Sequence, residues 1–440
     1  MKKPRFPPPT GESYQEVVAK VGAHVFFVEP TIKGEYLHWD KLLYRTPPKG
    51  LSHNDWWVAI RFCRHALSSP IPMRDKAGKQ FEYVLVDPIP EQMHQIDLGA
   101  GGRIQMPEQI TDPETKDRYY VGSLIEEAIT SSQLEGATTT RRVAKDMLRS
   151  GRPPRDRSEQ MILNNYRTMR KIGEVKDDPL TKDLVLELHK LVTEDTLDDP
   201  SAAGRLRRPD ERIIVGDDYG EVFHDPPDAA QLERRMSDMC DFANGRTPHG
   251  FVHPAIRSII LHFWLSYDHP FLDGNGRTAR ALFYWSMLHH GYWLFEFISI
   301  SHIIRKAPTQ YGLAFLYTET DENDLTYFIL YHLDVIRRAI DELHAYLKRK
   351  AAELKSIERS LRGIHVLNHR QRDLITHALR HPGGQYTIHS HQVSHNVVYE
   401  TARTDLLDLQ QRGLLHARKI GRTWYFTPRE DLEKRLAEMG

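Results

Sequence analysis

At 440 residues the chain is too long for one compact core, so two or three domains are expected. Hydrophobic residues at 40% and charged residues at 27% are globular values, and a mean hydropathy of -0.55 gives no sign of membrane insertion. Lysines and arginines number 60, as do aspartates and glutamates, which excludes a surface that coats nucleic acid throughout but leaves room for one locally basic domain.

The first residues, MKKPRFPPPT, hold two lysines with no apolar stretch behind them and do not read as a secretory signal. Residues 1–115 are rich in proline and aromatics, without a sustained helical period, and suggest a small module of mixed structure. Cys63 and Cys240 have no second thiol at ligand spacing, which predicts buried free thiols in a reducing cytoplasm. From Val121 the pattern changes: Val121, Leu124, Ile125, Ala128 and Ser132 recur at helical spacing, and the run stops at Glu135 and Gly136. Further helices are expected over 159–172, 181–196 and 228–243, so the middle of the chain is mainly α. One exception is a β-hairpin, with Ile213, Ile214 and Val215 on one arm and 221–224 on the other. It is either a working ribbon or an edge that covers core.

Pro254 opens a helix whose Ile256, Ile259, Ile260, Phe263, Trp264 and Tyr267 share a face, and it leads into HPFLDGNGRTAR over 269–280. Gly274, Asn275 and Gly276 free backbone N–H groups for an anion-binding nest at the start of a second apolar helix. Arg277 and Arg280, three apart, reach the same oligophosphate. Asp273 is a hard carboxylate suited to magnesium, and His269 can take a proton from a hydroxyl near neutral pH. The most apolar window, 292–300, carries Glu296 and falls short of the roughly 20 residues a membrane span needs.

After Asp324 a long helix is expected to about Leu361, bridging to a final domain. Helices over 370–379 and 399–409, then a ribbon over 413–418 and 422–426, predict a winged helix. Residues 361–440 hold 12 lysines and arginines against 8 acidic residues, a difference of +4. Arg403, Arg418, Lys419 and Arg422 are where such a domain would meet DNA, and winged helices also bind proteins. His389, His391 and His395 match no metal-site spacing.

The twelve-residue segment resembles the Fic family, whose signature HPFx[D/E]GNGRxxR it matches at every defined position. The resemblance implies a Fic-fold helical core over 116–345, with a β-hairpin flap. An N-terminal module over 1–115 precedes it, and a linker helix with a winged helix-turn-helix follows over 346–440. It implies a protein adenylyltransferase: His269 as base activates a target hydroxyl, which attacks the α-phosphate of ATP. Asp273 would hold Mg2+, while Gly274, Asn275, Gly276, Arg277 and Arg280 cradle the phosphates. Related Doc-type kinases look different in having lysine at the position of Gly276. The hairpin at Ile213, Ile214 and Val215 corresponds to a flap that aligns the target by strand addition. Tyr311 resembles a tyrosine packed near adenine, with a core role as the alternative.

Ser131 to Gly136, SSQLEG, resembles the family's inhibitory motif [S/T]xxxE[G/N], on a helix spanning 121–136. Ser131 would anchor the helix end, and Glu135 would pair with Arg280, the arginine that the γ-phosphate needs. Otherwise Glu135 is a solvated helix terminus, and in some relatives this glutamate assists AMP removal. Asp268, where relatives often have an apolar residue, either tunes His269 or faces solvent. The expected partners are a target protein, the chain itself, DNA through the C-terminal domain, and a second copy as homodimer, with no membrane. The rival reading is a DNA-binding regulator that senses nucleotide, or a transferase with another donor such as UMP or phosphocholine.

Overall fold

The computed structural model describes residues 2–8, 28–101, 113–216, 220–363, 366–380, 383–421 and 423–439. Its contacts divide the chain into two units, Met1–Leu343 and His344–Gly440, with the boundary inside one long helix. In the first unit α1 (Trp39–Leu42) and α2 (His53–Leu67) precede a hairpin of β1 (Ser68–Arg74) and β2 (Gln80–Val84), then α3 (Ile89–Ile96). The 15-residue α2 was not evident from periodicity, and its start is set by a capping box between Ser52 and Asp55. Ile71 and Met73 alternate along β1, Phe81 and Tyr83 along β2, and all four join the central apolar cluster. This hairpin shares a core with the helices that follow.

The helices are α4 (Pro113–Leu134), α5 (Arg141–Ser150), α6 (Arg157–Val175) and α7 (Lys182–Thr193). A short hairpin follows, β3 (Val215–Gly216) with β4 (Val222–His224), then α8 (Leu232–Ala243), α9 (Pro254–Asp268) and α10 (Asn275–His289). α11 (Ile300–Lys306), α12 (Pro308–Thr320) and α13 (Thr326–Gly363) complete the order. Proline at the first position of α9 suits a helix start, where its missing N–H leaves no bond unmade. From Ala255 to Asp268 every residue of α9 except Ser266 is buried, so the single apolar face read from spacing understates its burial. α9 and α10 form the centre of the fold, and the glycine loop between them lies at one end of both.

The second unit orders its elements as α14 (His369–Arg380), β5 (Tyr386–Thr387), α15 (Ile388–His395), α16 (Tyr399–Gln411), β6 (Leu415–Ile420), β7 (Thr423–Pro428) and α17 (Leu432–Ala437). Its sheet has three strands in the order β5–β7–β6, one more than the expected ribbon, because β5 is too short to leave a periodic signal. Ile375, Leu406, Leu409, Leu414 and Phe426 form a core of its own. Asp405, buried, accepts from Asn368 and Arg370 and faces His391 Nε2 at 3.2 Å, so that histidine has a structural partner. No helix among the described residues is long and apolar enough to cross a membrane.

Ser52→Ala should lower the stability of the first unit by about 1 kcal/mol, by removing the acceptor for the Asp55 N–H. Thermal unfolding of wild type and variant checks this.

Candidate active site

The glycine loop is held in shape by its own side chains. Asn275 Nδ2 donates to the Phe271 carbonyl at 2.8 Å, and the Phe271 N–H donates back to Asn275 Oδ1 at 3.0 Å. The Asn275 side chain therefore closes the loop, and what it can offer an anion is its backbone N–H. Gly274 has φ of 82°, and a Cβ there would meet Thr193 Cγ2 at 2.6 Å, so both the backbone and the space require glycine. His189 on α7 stacks on Phe271 with centroids 3.7 Å apart. Its Nδ1 accepts the Gly204 N–H, so Nε2–H donates to the Asp273 carbonyl at 2.9 Å. Arg207 Nε donates to the His269 carbonyl at 2.9 Å, and the Arg207 N–H to the Pro270 carbonyl at 2.8 Å.

His269 caps α9 in the left-handed region, φ 43°, which turns its ring out of the helix. Nδ1–H donates to the Ser266 carbonyl at 3.2 Å, leaving the Nε2 lone pair as the basic position. Burial pushes its pKa down to about 4, so the ring is neutral at neutral pH. Asp268 neither faces solvent nor tunes this ring by contact: it is buried, accepting from Arg235 at 2.6 and 2.8 Å and from Trp264 Nε1 at 3.1 Å.

Arg277 is fully buried. Its Nη1 donates to the Val192 carbonyl at 2.9 Å, whereas Nε and Nη2 have no hydrogen-bond acceptor. Nη2 lies 3.8 Å from Asp273 Oδ1. A buried guanidinium left with open donors is costly unless an anion reaches it. Arg280, also buried, is paired instead: Nε donates to Ser131 Oγ at 2.8 Å, and Nη2 to the Ser131 carbonyl at 3.0 Å and to Glu135 Oε1 at 2.8 Å. Glu135 is thus an ion-pair partner rather than a solvated helix terminus. Its carboxylate lies over Gly276, where any Cβ would overlap it. Gly136, with φ of 91°, lets the chain turn away directly after α4.

A residue missed by periodicity holds α4 in place. Glu127, buried, accepts from Tyr284 Oη at 2.8 Å, Ser299 Oγ at 2.8 Å, the Ser301 N–H at 3.2 Å and the Ser301 hydroxyl. Its signal was present in the sequence: Glu127, Ser131 and Glu135 are four apart and so form one polar stripe. His189 and Arg207 left no comparable signal, since their partners lie far along the chain.

Asp273, half-exposed, offers one hard carboxylate, with Arg157 Nη2 3.5 Å from Oδ2. Among the described residues no group of three or more His, Cys, Asp or Glu converges as a metal site. A magnesium ion fits Asp273 only if phosphate oxygens and water complete its shell, the usual arrangement for this ion. Tyr311, on α12, is bonded through its hydroxyl to buried His262 Nε2 at 2.9 Å and packs against the central core. Its hydroxyl lies beside Arg280, and burial pushes its pKa up to about 12.

Ile213 and Ile214 lie outside the β3–β4 ladder and only Val215 pairs, with His224. In the second unit Arg403, Arg418 and Lys419 are exposed, Arg403 Nη1 lying 3.3 Å from Glu400 Oε2. Arg422 lies outside the described residues.

The arrangement joins a neutral imidazole with an open lone pair to a glycine nest and two buried arginines, which suits proton abstraction beside a bound phosphate chain. Residues 179–287 match the family model described as Fic/DOC family. The chain is 26% identical over 207 residues to protein adenylyltransferase Fic of Nematostella vectensis, covering 46% of this chain and 44% of the relative. It is 35% identical over 117 residues to the protein of that name in Drosophila yakuba, covering 27% and 21%. The chain thus matches less than half the length of these curated relatives. A Fic family protein from Desulfovibrio desulfuricans has the same fold, with a TM-score of 0.54 at 20% identity, over 79% of this chain and 98% of that one.

Two outcomes are expected. His189 and His269, both lowered to about 4 by burial, bind protons in the unfolded chain from about pH 6.5 downward but in the folded chain only near 4. Their contribution to stability should fall as pH drops from 6.5 to 4, and NMR titration should give both rings midpoints near the lower value. Glu127→Ala leaves buried donors on Tyr284 and Ser301 unpaired and should cost about 1–3 kcal/mol. Amide exchange at the end of α4 should quicken with it.

Proposed function

We propose, from the match of residues 179–287 to the Fic/DOC family, that the chain transfers AMP from ATP to a protein hydroxyl. The observation that carries this reading is buried Arg277, at the start of the helix that follows the glycine loop, with Nε and Nη2 lacking an acceptor and Nη2 3.8 Å from Asp273 Oδ1. His269 Nε2 takes the proton of a serine, threonine or tyrosine hydroxyl. The hydroxyl oxygen bonds to the α-phosphorus, the bond from that phosphorus to the bridging oxygen breaks, and diphosphate departs with its electron pair. The nest over Gly274 to Arg277 holds phosphate oxygens. Asp273 would hold the magnesium ion, which when bound neutralises charge gathering on the leaving diphosphate. Ile213 and Ile214, whose main chain is off the ladder, suit pairing with an extended target segment, a mode that fixes the backbone and not the sequence. The acceptor hydroxyl belongs to another protein or to the chain itself.

We further read Glu135 as a brake. While it holds Arg280, the γ-phosphate cannot take that guanidinium, so ATP sits unproductively. The same carboxylate is placed to orient a water for removal of AMP.

The second unit we read as a DNA-contacting module, supported by exposed Arg403, Arg418 and Lys419 and by the local charge excess.

Glu135→Gly removes a charge-assisted bond of about 1.5–3 kcal/mol, so transfer of label from α-labelled ATP should rise roughly 10- to 150-fold. His269→Ala in that background should lower it by about 10²–10⁴-fold. Label arriving from γ-labelled ATP instead would replace nucleotidyl transfer with a kinase reaction. For the second unit, Arg418→Ala with Lys419→Ala should weaken duplex binding and reduce the slope of log affinity against log salt by about 2. A gel shift across salt concentrations reads it, and no binding at low salt removes the DNA reading.

A further inference from the structure

The last residue of β4 is a histidine with both ring nitrogens engaged. His224 Nδ1 lies 2.7 Å from Glu319 Oε2, and Nε2 lies 2.6 Å from the Tyr267 carbonyl. A carboxylate and a carbonyl are both acceptors, so the ring donates from both nitrogens and is an imidazolium with Glu319 as its counterion. Its side chain is 10% exposed, and the ring rests on Tyr267 with centroids 4.7 Å apart. One side chain thus joins three elements: the flap strand, the final turn of α9 two residues before His269, and α12, which also carries Tyr311.

We propose that His224, as an imidazolium, is the positioning residue that fastens the flap to the catalytic turn and so sets where a paired target strand meets His269 Nε2. The functional half of this rests on the site being an AMP transferase whose flap aligns its target. The fastening itself rests only on the two bonds.

The surrounding charges leave Glu319 as the partner in contact. From the β1–β2 loop Lys76 is taken by Asp225 at 2.8 Å, and from α8 Arg235 is taken by Asp268. From α9, Tyr267 supplies the carbonyl and His269 is neutral. Burial opposes a charged ring, but the bond and charge of Glu319 with the Tyr267 carbonyl outweigh it, and the His224 pKa is raised. The sign follows: the fastening is complete below the ordinary histidine value near 6.5 and is lost as pH rises through the higher folded value. A neutral ring keeps one of its two bonds, so the flap loosens without the core opening.

The test is hydrogen exchange on the full chain at pH 6 and pH 9, corrected for intrinsic rates, for wild type, His224→Gln and Glu319→Gln. Wild type should protect 220–224 several-fold better at pH 6 than at pH 9, and both variants should be weakly protected at either pH. Unchanged protection along α10 shows that the variants fold. Equal protection at 220–224 in all three proteins, or none that responds to pH in wild type, overturns the proposal. In the Glu135→Gly background, His224→Gln should lose at least tenfold in protein labelling from α-labelled ATP while its affinity for Mg-ATP stays within twofold. Undiminished labelling there overturns the positioning role. Absence of labelling in every protein, with exchange as expected, overturns the transferase reading and leaves the fastening standing.

Discussion

A guanidinium buried at Arg280 is the constraint around which this site is arranged. A buried charge is tolerated only when paired and hydrogen-bonded, and here Nε and Nη2 find their acceptors on α4: the Ser131 hydroxyl and carbonyl and the Glu135 carboxylate. Whatever displaces Glu135 must supply equivalent acceptors. An oligophosphate does so, and few neutral ligands can. Glu127, two turns earlier on the same helix, anchors it to α10 and to the start of α11, so the pairing of Arg280 does not rest on Glu135 alone.

The two arginines three residues apart on α10 are in different states for a geometric reason. Arg280 is paired with α4, whereas Arg277 reaches Val192 and Asp273 and keeps two donors open. Gly276 lies between them, and its missing side chain is the space that the Glu135 carboxylate fills. The missing side chain of one glycine thus admits the carboxylate. A larger residue at 276 would remove the contact even with Glu135 in place.

The turn after α9 is over-determined. Its residues are clamped by Asn275 from within, by His189 from α7, and by Arg207 from the segment before β3. These supports come from three separate stretches of chain, which keeps the His269 ring in the left-handed cap and its Nε2 open. Burial holds that ring neutral, and Asp268 pairs with Arg235 in the core instead.

Much of this was legible in the residues alone. HPFLDGNGRTAR marks a turn and a helix start because its glycines and the residues around them act through local geometry. The hairpin, the long terminal helix and most central helices showed in their periodicity for the same reason. Long-range packing decided the rest. The hairpin over 68–84 joined the main core because its alternating side chains met α9, and β5 became a strand only by pairing with β7. The pairing of Arg280 with Glu135, 145 residues apart, and the bonds of His224 to Tyr267 and Glu319 exist only once the helices have packed. Sequence specifies which groups can bear charge and where the chain can turn. Which charges meet is set by burial, because only in a folded, water-poor interior does an ion pair become obligatory.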